Sequence, residues 1–303
     1  MSTQDFEIAP EDAHQRLDVV LARRLDLSRA QTRKLLESGR VTLDGTPVGR
    51  SVKGLSVEAG ARVAIEDFVH PRDRRARPEP DADLTVLAEG PGWVAVDKPA
   101  GRAVHPLDAD EIGTLLNGLV ARWPAMQGVG EGGLRSGVLH RLDRDTSGAM
   151  LFATEDATWD RLRGAFARHE IAKTYRVLVA GAPPDAGRLD RRLVVAQHKP
   201  AFVKVAPGKG GRPTRMGFRT VERFARASLV EVDLETGFLH QVRVGFADAG
   251  HPVLGDVVYG GEAADAAPRQ MLHCARLVYQ EIDVTSPDPG DFAAAIARER
   301  DAR

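Results

Sequence analysis

Asp143 sits in the stretch GVLHRLDRDTSG, residues 137–148, between Arg141 and Arg144 and with Asp145 just beyond. A carboxylate so placed can be a salt-bridge partner, a metal ligand, or a nucleophile kept ionised by its cations. Ligand spacing argues against the metal. His105, His140, His169, His198, His240, His251 and His273 are scattered and form no H-E-x-x-H pair. A carboxylate flanked by guanidinium groups is also poor company for a cation. Nucleotide-triphosphate chemistry fits no better. APGKGGRPTR, residues 206–215, is glycine-rich and basic but lacks the G-x-x-x-x-G-K-[ST] spacing, and it reads as a mobile basic loop. Ser147 stands in DTSGAM without the G-x-S-x-G elbow or an evident base, so it reads as a turn residue bonding backbone.

The chain that must position Asp143 has 303 residues and is 43% hydrophobic, enough for one large domain, or a large one with a small one. Lone Cys274 excludes an intrachain disulfide and a cysteine-rich zinc site and fits a reducing compartment. The opening MSTQDFEIAPEDAHQ is polar and acidic, and no apolar run approaches the ~18 residues that span a bilayer. A cytoplasmic protein without a membrane partner is expected. Net charge is −1, but the charge is segregated. Residues 14–53 carry nine basic side chains against four acids, and residues 187–226 carry eleven against two. Patches of this kind suit a polyanion.

The likeliest boundary in the pattern is HPRDRRARPEPDAD, residues 70–83, which is charged and proline-bearing without apolar periodicity. Before it, RLDVVLARRL and SRAQTRKLLESG read as two helices, with Ser28 an N-cap and Gly39 a stop. RVTLDGTPV reads as a hairpin turning at Asp44-Gly45. Arg29 and Arg33, four apart, share a helix face with Lys34 and Arg40 nearby, a cationic surface for phosphates or simply a solvated face.

After the boundary, short strands alternate with helices. LTVLAE, WVAVDKP, GAMLFAT, AKTYRVLVAG, MGFRTVERF, ASLVEVDLET and RLVYQEIDV read as strands. TLLNGLVARW, DATWDRLRGAF and FLHQVRVGFADAG read as helices. Very short connections, as between 217–224 and 227–235, demand antiparallel pairing. The larger domain is therefore expected to be α+β around a mixed, mostly antiparallel sheet flanked by helices and loops. The pattern leaves PDPGDFAAAIARERDAR open between a terminal helix and a frayed tail.

Two resemblances attach to these stretches. The helix–helix–hairpin order of SRAQTRKLLESGRVTLDGTPV resembles the small ribosomal-protein S-four-like RNA-binding module, with a core at about residues 14–67. VAVDKPAGRAVHP, GVLHRLDRDTSGAMLFAT, IAKTYRVLVAG, GFLHQVRVGFADAGHPVLGDVVYG and RQMLHCARL are similar, in order and approximate spacing, to the motifs of the RluA family of pseudouridine synthases. The resemblances imply a small N-terminal α/β RNA-binding domain over residues 1–69, a linker at 70–83, a catalytic domain at 84–286 with the pseudouridine synthase fold, and a tail at 287–303.

The family resemblance further implies an isomerase that detaches uracil from its ribose, turns it and rejoins it through carbon, without cofactor or metal. Asp143 matches the catalytic aspartate and Arg243 of HQVR the arginine set against it; an adjacent guanidinium lowers a carboxylate's pKa and aims its oxygens. Attack on the anomeric carbon and removal of a ribose proton both remain open. Tyr175 matches the tyrosine that stacks on the target base, and Arg141 the residue that fills the space left by a flipped uridine. Arg16, Arg29, Arg33, Lys34 and Arg40 are the RNA-facing candidates of the small domain. Lys98 and His105 read as architecture. The family commonly has G-R-T-H-Q-I-R where this chain has GFLHQVR, residues 237–243, so Phe238 and Leu239 put contacts near the cleft, and target choice, in question.

The partner implied is RNA, with large-subunit ribosomal RNA favoured over transfer RNA, and the protein is expected to be a monomer. A non-catalytic RNA-binding paralogue is the rival reading, and joint retention of Asp143, Tyr175 and Arg243 argues against it. An RNA methyltransferase would need a glycine-rich cofactor loop after a strand, and none is convincing.

Overall fold

The computed structural model describes residues 3–49, 54–261 and 267–302, and the chain divides into two units, residues 1–74 and 75–303. The first contains β1 (Thr3–Glu7), α1 (Leu17–Arg24), α2 (Arg29–Glu37), β2 (Val41–Leu43), β3 (Thr46–Pro47) and β4 (Arg62–Glu66). Its sheet runs β1-β4-β2-β3 and is antiparallel throughout. Asp44 and Gly45 both take positive φ, 48° and 75°, the left-handed pair a two-residue hairpin needs. Helix α2 begins in a full capping box: Ser28 Oγ accepts the Gln31 N–H at 3.3 Å, and Gln31 Oε1 accepts the Ser28 N–H at 2.7 Å. Leu17, Val20 and Leu21 of α1 and Leu36 of α2 are buried with Val41, Val63 and Ile65 of the sheet. Each such burial contributes about 1.5–3 kcal/mol, and it turns the charged faces of both helices outward.

The second unit follows with β5 (Thr85–Gly90), β6 (Trp93–Lys98), α3 (Leu115–Arg122), β7 (Ser147–Ala153), α4 (Asp156–Ala167), β8 (Ala172–Ala180), β9 (Ala186–Arg188) and β10 (Arg191–His198). It continues with β11 (Ala201–Val205), β12 (Arg212–Thr214), β13 (Met216–Arg223), β14 (Ala227–Leu234), α5 (Gln241–Asp248), β15 (Leu272–Tyr279), β16 (Ile282–Thr285) and α6 (Gly290–Asp301). Nine strands form the central sheet in the order β5-β6-β7-β15-β8-β14-β13-β9, with β16 on β15. Among the described residues only β7 and β15 run parallel, so the sheet is mixed and mostly antiparallel and the fold is α+β. Gly148 makes the parallel contact feasible: with φ 122°, a Cβ there would lie 2.3 Å from the Cys274 carbonyl oxygen.

Three details depart from the sequence pattern, and a fourth decides what it left open. RLVYQEIDV is the end of one strand and most of another, because Gln280 takes φ 51° and reverses the chain. The basic 206–215 stretch is not all loop: Arg212–Thr214 pairs with Arg191–Leu193, giving a second sheet in the order β11-β10-β12. The 70–83 segment changes character after Arg74: Ala76 is buried, and Asn117 Nδ2 donates to the Arg77 carbonyl at 2.8 Å. The final residues form α6, which buries Phe292, Ala295 and Ile296 against Leu178, Leu229 and Met271.

Candidate active site

Asp143, Arg141, Tyr175 and Arg243, four residues singled out in the sequence, line one cleft of about 810 Å³ in the second unit. The elements explain the convergence. Asp143 ends the irregular stretch before β7, where the Thr146 N–H donates to the Asp143 carbonyl at 3.1 Å and closes a turn. Tyr175 lies on β8 and Arg243 in the first turn of α5.

That turn starts late. Helix periodicity runs from Phe238, but His240 adopts the left-handed conformation (φ 55°, ψ 21°) as the N-cap, so the helix begins at Gln241. Gln241 Oε1 accepts the Phe238 N–H at 3.1 Å and fixes the approach. The reversal swings Arg243 inward.

Arg243 spends its three donor directions on two acids. Nε and Nη2 form a fork with Asp256 at 2.6 and 2.8 Å, and Nη1 donates to Asp143 Oδ2 at 2.9 Å. Asp256 is 1% exposed, whereas the Asp143 side chain is 21% exposed and opens to the cleft. One acid therefore anchors the guanidinium and the other receives it. Burial opposes the charge on Arg243, but the two carboxylates together raise its pKa above the ordinary arginine value. Arg243 bonds only Oδ2 of Asp143, and Oδ1 has no hydrogen bond among the described residues.

Tyr175 is 7% exposed. Burial, with Cys274 hydrogen-bonded to its hydroxyl and Asp143 nearby, holds its pKa well above the usual 10, so it stays a neutral phenol. Arg141 lines the cleft exposed and makes no ion pair among the described residues; a pairing with Asp145 does not form. Arg144 instead donates from Nε to the Gly101 carbonyl at 2.8 Å.

Lys98 proves to hold the Asp143 loop. Its side chain is fully buried, and Nζ donates to the carbonyls of Pro99, Arg144 and Thr146 at 2.9, 2.6 and 2.8 Å. Burial pushes its pKa down to about 7, while three carbonyl acceptors require all three ammonium hydrogens. His105 is buried too, with Nδ1 at 3.0 Å from the Pro106 carbonyl. Ser147 is not the turn residue its sequence suggested. Its Oγ lies 3.0 Å from His273 Nδ1 and takes an Arg269 Nη2 donor at 3.1 Å, but serine and histidine are at most 1% exposed, so the pair is structural.

On the first unit, Arg29, Arg33, Lys34 and Arg40 are exposed along and just after α2, and Arg29, Arg33 and Lys34 make no ion pair among the described residues. Arg40 reaches the Asp67 carbonyl at 3.4 Å, and Arg16 is held in a bidentate pair by Asp18 at 3.0 and 2.8 Å. Arg50 and Lys53, counted in the basic stretch, lie outside the described residues. The surplus over residues 187–226 is smaller in space than in sequence. Arg188, Arg191, Arg215, Arg219 and Arg223 pair with Glu235, Asp248, Glu231 or Asp185, all supplied from outside that segment.

Sequence reasoning missed Asp256 and Tyr259. Both stand in GDVVYG, and a buried acid three residues before a tyrosine carries no periodic signal of its own.

Residues 92–248 match the family model described as RNA pseudouridylate synthase, and residues 15–52 match the S4 domain. An uncharacterised RNA pseudouridine synthase of Mycobacterium bovis is 36% identical over 309 residues, covering 98% of each chain. A protein of Zymomonas mobilis named ribosomal large subunit pseudouridine synthase D is 32% identical over 310 residues, covering 96% of each. Among solved structures, human RNA pseudouridylate synthase domain containing 4 superposes with a TM-score of 0.59 at 19% identity, over 71% of this chain and 93% of that one. That likeness speaks to the fold.

Proposed function

Because the chain belongs to the RNA pseudouridylate synthase family and is an RluA-type RNA pseudouridine synthase, an isomerase, we propose that it acts on large-subunit ribosomal RNA with Asp143 as its catalytic carboxylate. The observation that carries the site assignment is the Asp143–Arg243–Asp256 arrangement. A carboxylate is presented to a cleft by a guanidinium that a second, buried acid holds in place.

Isomerisation breaks the bond from the ribose C1′ to uracil N1 and makes one from C1′ to C5. As the base leaves, the sugar becomes electron-poor, and a carboxylate at that carbon is the natural partner. Asp143 Oδ1, the oxygen that Arg243 does not hold, is the atom that meets the sugar, by attack on C1′ or by taking a ribose proton. Tyr175 offers a flat apolar face on which uracil is held yet free to turn. Its hydroxyl is kept neutral by burial and does not compete as an acid. Arg141 enters the stack that the flipped uridine vacates, where a planar guanidinium replaces both stacking and hydrogen bonds.

Arg29, Arg33, Lys34 and Arg40 of the S4 domain dock phosphates, with Arg16 the least available because Asp18 occupies it. Large-subunit ribosomal RNA is favoured because relatives that align along most of this chain carry that substrate in their names.

The test is chemical mapping of pseudouridine in total RNA from cells with the protein, without it, and with Asp143→Asn in its place. The expected result is loss of one or more pseudouridines in large-subunit ribosomal RNA in both deficient strains. Loss confined to transfer RNA would overturn the substrate assignment, and a site restored by Asp143→Asn would overturn the role of the carboxylate.

A further inference from the structure

Asp143 Oδ2 has a second neighbour. His240 Nε2 lies 3.9 Å from it, on the same oxygen that Arg243 holds. On the far side of the ring, His240 Nδ1 lies 2.7 Å from the Tyr259 hydroxyl, and that oxygen accepts the Val203 N–H from β11 at 2.9 Å. The phenol has a single hydrogen to give. With Val203 donating into its oxygen, the acceptor among the described residues for that hydrogen is His240 Nδ1. A neutral imidazole that accepts at Nδ1 carries its proton at Nε2.

We propose that Tyr259 is a positioning residue that locks His240 as the Nε2–H tautomer, so that this N–H faces Asp143 Oδ2 at 3.9 Å beside the hydrogen bond that Arg243 donates to the same oxygen. The pair commits Oδ1 to the sugar and leaves Oδ2 the oxygen on which charge is stabilised. The backbone supports the same reading. His240 is held in the left-handed region, where few non-glycine residues rest, and this conformation carries its ring between Asp143 and Tyr259. Tyr259 is itself gripped: its ring stacks on Phe202 of β11 at 5.3 Å and lies under the Arg243 guanidinium at 5.1 Å. The hydroxyl is therefore aimed from three directions at once.

The inference rests on Asp143 being the reacting carboxylate, and the experiment separates the two. The full-length protein, labelled with ¹⁵N-histidine and free of RNA, reports each ring's tautomer through its two-bond couplings, with His240 assigned by the loss of its signals in His240→Asn. Wild type should show Nε2–H at His240, and Tyr259→Phe should shift it to a mixture. An Nδ1–H ring in wild type, or no change in Tyr259→Phe, overturns the lock.

Turnover is then followed on transcribed large-subunit ribosomal RNA. Glutamine places an N–H donor where Nε2 stood. Asparagine suits the left-handed backbone and reaches Tyr259 but offers nothing to Asp143. His240→Gln should exceed His240→Asn by about threefold or more in single-turnover rate, as for a polar contact to a carboxylate that is longer than a hydrogen bond, with RNA affinity equal in both. Equal rates would overturn the donor role. Absence of turnover by wild type on this RNA would count against the substrate assignment alone, since the tautomer is read without RNA.

Discussion

Asp143 and Asp256 contact the same guanidinium, yet their removal should have opposite consequences. Asp256 is 1% exposed and accepts two short bonds from Arg243, which is itself 5% exposed. Asp256→Asn leaves a buried cation facing an amide whose oxygen can accept only one arm of the fork. Removing one partner of a buried pair costs about 3–5 kcal/mol. For a domain of this size that is about 6–20 °C in melting temperature. Asp143→Asn removes a single bond from a partly open carboxylate, and Asp256 still compensates Arg243, so stability should change by about 1 kcal/mol or less.

Thermal unfolding of the two purified variants, followed by circular dichroism, checks the contrast, and a pseudouridine assay beside it should find Asp143→Asn inactive although fully folded. Equal melting temperatures for the two variants, or an Asp256→Asn protein as stable as wild type, would refute the division of labour between anchor and presented acid.

Lys98→Met fills the space but orphans three buried carbonyls around the Asp143 loop, so urea denaturation should show a loss of about 2–5 kcal/mol, with turnover falling alongside. Removing residues 1–74 should leave a folded catalytic unit that binds RNA more weakly. The slope of log affinity against log salt should fall by about 3–4, as expected for the contacts of Arg29, Arg33, Lys34 and Arg40; an unchanged slope would mean that the S4 domain does not touch phosphate. His140 accepts the Leu151 N–H at 3.1 Å, and burial lowers its pKa to about 3, so it folds neutral. Its unfolded form binds a proton below about pH 6.5, so this histidine's contribution is complete above that pH and is lost as pH falls from there towards 3, by up to about 1.4 kcal/mol per unit. Denaturant titrations between pH 6.5 and 5 should flatten by that share in His140→Gln, whose side-chain oxygen accepts the same N–H without titrating.

The parts of the fold legible in the sequence are those specified by local physics. Ser28 and Gln31 announce a capping box, Asp44-Gly45 announces its turn, and the apolar alternation in β8 and β14 survives burial on both sides. The second small sheet was not legible, because β11 and β12 are its edges and all three strands have mixed polarity without an apolar repeat. The turn at Gln280 lacks glycine, proline and asparagine, so nothing marked where β15 ends. Charge was misleading for a related reason: the acids that compensate Arg188, Arg215 and Arg219 arrive from neighbouring strands, and a linear count cannot see across a sheet. At the site, Asp143 and Arg243 were found through motif resemblance, because a contact spanning 100 residues leaves no local trace. Asp256 is invisible to such reasoning, since a buried charge is recognised only once its partners are in place, and Lys98 was legible as architecture but not by the carbonyls it holds.

The strand order carries a consequence for how the protein is made. β15 lies between β7 and β8, although those two are near neighbours in the chain and β15 is translated about a hundred residues later. Until residues 272–279 leave the ribosome, β7 and β8 each present an unpaired hydrogen-bonding edge, flanked by apolar residues that will become core. Such edges recruit other strands, and late, non-local closure is slow. The nascent chain therefore passes through a window in which its two half-sheets are adhesive. A message truncated before β15 would yield a protein that holds the Asp143 loop and Arg243 in sequence but lacks the strand that joins the halves, with aggregation as its expected fate.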